Sequence, residues 1–293
     1  IKKGEYYINS DLAFPQGFSI TIEDGTDLRL AKNVSILIKG NLLAMGTESN
    51  PISVSPILKE EPFGVFAVIG NNKKALVNLS NFKINGGSEA TIEGVNFLGQ
   101  ISIHYAEVTA DNISINHSFS DDGINIRNST VNIKDSIFSM NSFDQIDLDF
   151  CEGKLESNIF KAPKLKVTSE DFIPNGDGLD LSGSKIILEK NTFEDFGDKA
   201  LSIGEESIVL LNGNNFLRNL HAIAIKDGSK LFALNENYFK QNINDYSLFT
   251  KKSFFPPPII YIDNNLRKIN LESGSINKTD NKLIADLFND YVY

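Results

Sequence analysis

The sequence predicts an all-β solenoid with rungs of about 22 residues, on three observations. Five segments align as one motif: Gly123–Ile126, Gln145–Leu148, Gly178–Leu181, Ala200–Ile203 and Ala222–Ile225, their first residues 22, 33, 22 and 22 positions apart. A phenylalanine follows each by about fifteen residues (Phe138, Phe160, Phe193, Phe216 and Phe239), and an asparagine stands two positions before the last four of these. Between them run short alternating strands broken by Asn and Gly, the pattern of a stacked repeat whose units bury their apolar faces against one another.

Size and composition fit one elongated domain. The 293 residues are 41% hydrophobic, and no apolar run approaches the ~18 residues that would cross a membrane. With 28 basic against 38 acidic residues, net −10, the chain does not read as a nucleic-acid binder. A lone cysteine, Cys151, excludes an intrachain disulfide and reads as a packing residue. The sequence opens at Ile1 with neither Met nor a signal peptide, as a processed or trimmed chain would.

Taken in order, residues 1–25 form N-terminal cap strands, Tyr6–Ile8 and Phe18–Glu23, around a turn at Pro15–Gly17. Strands follow at Thr26–Leu30 and Val34–Ile38, with period-two alternation between Gly, Asn and Pro punctuation. The stretch Gly40–Val54, reading GNLLAMGTESNPISV, resembles the first coils of many bacterial right-handed parallel β-helix proteins. The resemblance implies that architecture for residues 1–276, and an exported setting: extracellular, cell-surface or periplasmic.

From Glu60 to Lys74 the alternation lapses into loops, and it resumes at Ala75–Leu79, Ala90–Glu93, Ile101–His104 and Asn112–Ile115. The clearest rungs span 121–242. The 33-residue interval holds about eleven extra residues between Phe160 and Gly178, punctuated by Pro163 and Pro174, and reads as a side loop. The regular repeat dissolves after Phe239, with one last strand within Phe254–Asp263. Residues 277–293 change period: Leu283, Ile284, Leu287, Phe288 and Tyr291 share one helical face, and Thr279 or Asp280 supplies the N-cap of a capping helix.

Because Ile124/Ile126, Ile146/Leu148, Leu179/Leu181, Leu201/Ile203 and Ile223/Ile225 must face the core, the residues between and after them face outward. They form one column of Asn125, Asp147, Asp180, Ser202 and Ala224, and a second of Arg127, Asp149, Ser182, Gly204 and Lys226. A third, at the turn entering each strand, holds Asp122, Asp144, Asp177, Lys199 and His221. Rungs ~4.8 Å apart make neighbours of successive members. Carboxylates at that spacing raise one another's pKa unless cations or hydrogen bonds compensate. The asparagine and phenylalanine columns read as structural, an amide ladder at an inward turn and a stacked core. His104 and His117 read as surface or turn residues.

The polar grid also resembles the active-site spacing of polygalacturonases, β-helical glycosidases with Asn-Thr-Asp, Gly-Asp-Asp and Gly-His-Gly one rung apart. Here the corresponding segments are Asn175-Gly176-Asp177 followed by Asp180, then Gly197-Asp198-Lys199, then Leu220-His221-Ala222. Lys199 replaces the second Asp, both glycines beside the histidine are absent, and no later Arg-Ile-Lys follows. The resemblance implies catalytic roles for Asp177, Asp180, Asp198 and His221. A hydrolase needs one protonated and one ionised carboxyl, with Asp198 as acid and Asp177 or Asp180 activating water. A lyase or epimerase needs a base, His221, and cations facing a uronate.

The expected ligand is therefore a polysaccharide, with or without uronic acid, contacted by Lys199, Lys226, Arg127, Ser202 and Glu205. Calcium held by Asp144, Asp147 and Asp177 would reconcile the acidic grid with an acidic sugar. The competing reading is a non-catalytic surface β-helix, an adhesin, spacer or carbohydrate-binding module whose grid is simply solvated.

Overall fold

Alternating apolar residues return the chain to the same three directions coil after coil. The structure is a computed structural model and describes residues 1–162, 176–234, 236–263 and 267–292. Its strands form three parallel sheets and one antiparallel two-stranded hairpin. The side loop expected after Phe160, and with it Asn175, lies outside the described residues. The contacts divide the chain into two compact units, Ile1–Asp147 and Leu148–Tyr293.

In the N-terminal unit, Leu12–Phe14, Ile36–Ile38, Phe66–Ile69, Gly99–His104 and Asp122–Arg127 pair in parallel, one strand from each successive coil. Phe66–Ile69 falls where the sequence pattern lapses. Glycines 64 and 70 interrupt the alternation, but all four residues join the sheet. Ala90–Ile92, expected as a coil strand, instead pairs antiparallel with Val95–Phe97. Glu93 and Gly94 between them both adopt positive φ (51° and 79°), the backbone a two-residue hairpin turn requires. The apolar underside of this hairpin packs on the sheet, joining Phe97 to Leu37, Val65 and Ala67.

In the C-terminal unit, Leu179–Ser182, Lys199–Gly204, His221–Lys226, Asn244–Phe249 and Ile269–Leu271 make the sheet that carries most of the expected site. Leu179, Leu201 and Ile223 are in register and fully buried, as are Leu181, Ile203 and Ile225. The expected columns form. Phe160, Phe193, Phe216 and Phe239 stack at 4.4, 5.0 and 5.2 Å between centroids, with their ring planes nearly parallel. Asn158 donates its backbone N–H and side-chain amide to Asn191 Oδ1 (3.0 and 2.9 Å), and Asn191 does the same to Asn214 (2.9 and 3.0 Å). Each buried amide is thereby satisfied by the coil that follows it. A second ladder, Asn219 to Asn242, serves another corner.

Between the sheets, isolated residues adopt left-handed backbone. At Gly183 (φ 59°) a side chain is excluded twice over, since an added Cβ would also stand 2.7 Å from the Phe150 ring.

The expected helix forms at Asn281–Val292, capped by Asp280, whose Oδ1 accepts the N–H of Leu283 at 2.9 Å. It lies on the outward flank of the sheet containing Lys185–Glu189, Ile208–Asn212, Lys230–Ala233 and Ile259–Ile262. Ile187, Leu210, Phe232 and Tyr261 form an outward apolar row there, which Ile284 and Phe288 bury. Burying those two side chains stabilises the docked helix by about 1.5–3 kcal/mol each.

Candidate functional site

The strand register of the C-terminal unit decides which polar residues meet. It sets Lys199 opposite His221 and His221 opposite Asn244. In the next outward column Asp180, Ser202, Ala224 and Ser247 are in line. The inward leucines and isoleucines leave these side chains only the outer face.

At one edge of that face Lys199 Nζ lies 3.0 Å from Asp177 Oδ1 and also pairs with Asp198 Oδ2. The Lys199 backbone N–H donates to the same Asp177 oxygen at 3.3 Å. Asp177 is 6% exposed. Burial pushes its pKa up to about 6, Lys199 opposes the rise, and Asp180 and Asp198 add to it. For Lys199 burial pulls downward, but Asp177 and Asp198 together outweigh it and hold the ammonium above its ordinary value. A lysine so held is a charged brace, not a base.

His221 is half-buried. Its Nδ1 faces Ser247 Oγ at 2.7 Å and Asn244 Nδ2 at 3.3 Å. In the neutral tautomer that donates Nδ1–H to Ser247 Oγ, Nε2 carries no hydrogen; the Asn244 NH2, which only donates, is then a neighbour and not a hydrogen-bond partner. Burial lowers its pKa, with Asp198 pulling upward and Lys199 downward, so at neutral pH the ring is uncharged.

Lys226 folds back across the sheet over Gly204. A Cβ on Gly204 would stand 3.4 Å from its Cε. Its Nζ reaches to 3.9 Å from Asp180 Oδ1, an ion pair at long range. Beneath this layer Ser202 is fully buried, and its Oγ has no hydrogen-bond partner among the described residues. Such a hydroxyl carries an unmet desolvation cost of about 1–3 kcal/mol. Glu205 pairs with Lys252, and Asp227 accepts the N–H groups of Lys251 and Lys252 at 2.7 and 2.8 Å.

The structure thus brings Asp177, Asp198 and Lys199 into one cluster, with His221 in register beside Lys199, and links Asp180 to Lys226. Glu205 is committed to a separate pair. Asn244, Ser247 and Lys252 are additions. The signal for Ser247 was a further period, since Tyr246–Leu248 repeats Ile223–Ile225 one coil later.

Arg127, Asp144 and Asp147 belong to the N-terminal unit. Arg127 ends its strand opposite His104, and Asp147 Oδ2 accepts the side-chain amide of Asn125 at 2.8 Å.

Residues 84–284, more than half of the chain, match the family model described as a right-handed β-helix region. The chain belongs to the right-handed β-helix family. No curated protein sequence matches this β-helix chain. Among solved structures it is similar to ORF18 of Geobacillus virus E2, at 9% identity and a TM-score of 0.38, over 94% of this chain and 50% of that one. It is also similar to an alginate lyase from Paenibacillus sp. str. FPU-7 (10% identity, TM-score 0.35, 88% of this chain and 92% of that one). A third is the GH136 lacto-N-biosidase from Eubacterium ramulus (9% identity, TM-score 0.28, 94% and 68%). The β-helix chain spans half the length of the first of these. Among the described residues no helix is long and apolar enough to cross a membrane.

Proposed function

We propose that this β-helix protein cleaves a polysaccharide by general acid–base chemistry on the outward face of its C-terminal unit. The observation that carries the reading is Asp177, a buried carboxyl whose pKa stands near 6 beside a lysine and within one coil of a neutral histidine. Pairs of titratable groups whose environments push their pKa values into a working range mark acid–base sites. This reading exchanges the roles expected for the carboxylates. Asp177 keeps its proton into the weakly acidic range and is the acid, whereas Asp198 is held as an ion pair by Lys199.

In the step itself, Asp177 gives its proton to the glycosidic oxygen as the bond to that oxygen breaks. With Nδ1–H donated to Ser247 Oγ, His221 Nε2 takes a proton either from the attacking water or from the carbon next to a uronate carboxyl. The first route yields hydrolysis, and the second yields elimination with a new carbon–carbon double bond. Lys226, across Gly204, supplies positive charge for an acidic sugar, whereas Ser202, fully buried beneath it, does not reach the sugar. No step uses calcium. An extracellular or cell-surface setting accompanies this reading, since that is where long polysaccharides are met.

The test is incubation with a panel of neutral and uronate polysaccharides. New reducing ends report hydrolysis, and new reducing ends with the ultraviolet absorbance of an unsaturated uronate report elimination. Asp177→Asn should reduce the rate by about 10²-fold or more with the fold intact. If no polysaccharide yields reducing ends while one binds saturably, the non-catalytic reading holds, in which Lys199 braces Asp177 and Asp198 as structural ion pairs.

A further inference from the structure

The sheet that carries the acid–base cluster has a second edge, where its strands leave the face, and two exposed phenylalanines belong to it. Gly183, Glu205 and Asp227 follow the paired strand ends of successive coils. Phe150 holds the same position one coil earlier, its N–H donating to the Ser182 carbonyl at 2.8 Å. All four adopt left-handed backbone, with φ of 53° at Phe150 and 59°, 56° and 49° at the others. That conformation suits Gly, Asn and Asp, and a bulky side chain in it is an outlier. Phe150 keeps it although its ring gains little burial, being 59% exposed. The ring is nonetheless seated. It packs on Gly183, where a Cβ would stand 2.7 Å from two of its carbons.

At 78%, Phe254 is more exposed than any other large apolar side chain among the described residues. Yet the segment that carries it is clamped. Asp227, 2% exposed, accepts the N–H groups of Lys251 and Lys252 on one oxygen, and the Lys252 ammonium reaches back to Glu205. The Phe255 N–H closes a turn on the Lys252 carbonyl at 3.0 Å, and the Phe255 ring backs that of Phe254 at 4.7 Å between centroids. Pro256 rests against Gly228, 3.1 Å from where a Cβ would be. The Phe254 ring therefore faces water from a fixed position. A group held in this way binds with little further ordering cost.

Glu205, which ties down the Phe254 segment, lies two coils from Phe150, about 10 Å along the axis. Successive pyranose residues of an extended chain advance by about one coil. We propose that Phe150 and Phe254 stack on the pyranose rings of an extended glycan with equatorial hydroxyls, laid across the coils at this edge. Equatorial hydroxyls leave the C–H faces of each sugar flat for an aromatic ring, and they point sideways to polar groups such as Glu205 and Lys252. The strand Lys199–Gly204 puts this edge about 17 Å from the acid–base edge, so the platform holds a part of the chain that is not being cut. The ligand class rests on the polysaccharide reading above, whereas the acid–base cluster is not required.

The chain holds no tryptophan, so Phe150→Trp and Phe254→Trp each give the full chain a single fluorescent reporter on the proposed platform. Each is titrated with cellohexaose, xylohexaose and hexagalacturonate, the last a chain whose axial linkages present no continuous flat face. A saturable blue shift with cellohexaose or xylohexaose, and none with hexagalacturonate, is the expected result. Adding Phe254→Ala to Phe150→Trp should weaken that titration at least about fivefold, as loss of one stacked ring does. Phe254 is exposed enough to tolerate replacement, so Phe254→Trp decides the matter if Phe150→Trp fails to fold. Silence of a folded reporter towards both neutral hexaoses, or an equal response to hexagalacturonate, would overturn the proposal. So would a blue shift that grows with protein concentration without sugar, which would make the rings a contact between copies of the chain. Silent reporters in a chain that still cleaves a polysaccharide leave the acid–base reading standing; a saturable response without cleavage supports the platform and removes the enzyme.

Discussion

Asp177 and Lys199 stand 3.0 Å apart, yet the carboxyl titrates well above its ordinary 3.8, at about 6. An opposite charge at that distance normally depresses a carboxyl. Here burial is the largest influence, and Asp180 and Asp198 reinforce it, so the ammonium only limits the rise.

The first prediction concerns stability. A folded-state pKa above the unfolded value means that the native state binds more protons between the two values, so stability falls as pH rises through that window. For Asp177 the window runs from about 4 to about 6. Asp177→Asn removes the ionisation, and its stability relative to the parent should climb across the same interval by up to about 3 kcal/mol. Urea denaturation at a series of pH values reads this directly. A difference that stays flat, or falls with rising pH, would show that Asp177 is not a net-disfavoured charge.

Asn191 tests the amide ladder. It accepts twice from Asn158, and donates to Asn214 Oδ1 and to the Leu155 carbonyl at 2.9 Å, all in a fully buried setting. Asn191→Ala strands several buried groups, each at about 1–3 kcal/mol. A loss of about 3 kcal/mol or more is expected in denaturant unfolding, and a loss below 1 kcal/mol would mean that water replaces the ladder.

That ladder was legible in the sequence because its members recur two residues before a phenylalanine. The Asn219–Asn242 ladder follows the same rule at another corner, each member standing three residues after a column phenylalanine, Phe216 and Phe239. The outward row Ile187, Leu210, Phe232 and Tyr261 was equally readable. Apolar residues at positions that should face solvent announce a covering element, and the C-terminal helix is that cover. The acid–base cluster could be read only as columns of residue types. The columns placed Asp177 and Lys199 one rung apart, but the burial that sets the Asp177 pKa appears only with the packed coils. The burial of His104, expected at the surface but only 8% exposed, was illegible for a related reason. His104 is buried because the Ala90–Phe97 hairpin leaves the coil pattern and lays Phe97 over it.

The helix makes a prediction of its own. Phe288 is 3% exposed and meets the Phe232 ring edge-on at 5.6 Å. Phe288→Ala should release the helix from its flank, with a local loss of about 3 kcal/mol. Hydrogen exchange should then accelerate across Asn281–Val292 while the strands Lys185–Glu189 and Ile208–Asn212 keep their protection. Uniform acceleration through the unit would instead make the helix part of its cooperative core.

The pH dependence of cleavage separates a working acid–base pair from a brace. With Asp177 as acid and His221 as base, activity requires the first protonated and the second neutral. Asp177 loses its proton near pH 6, and burial sets the His221 pKa below its ordinary 6.5, so the optimum falls on the acidic side of neutrality. Lys199 lowers the pKa of both groups. Lys199→Gln should therefore move both limbs of the kcat/KM profile to higher pH, the Asp177 limb by about 1–3 units as loss of an adjacent opposite charge implies. Loss of activity with both limbs unmoved would mean that Lys199 acts on the substrate and not through Asp177 and His221. Limbs that move in opposite directions would reject the assignment of acid and base, because one cation beside both groups must shift them the same way.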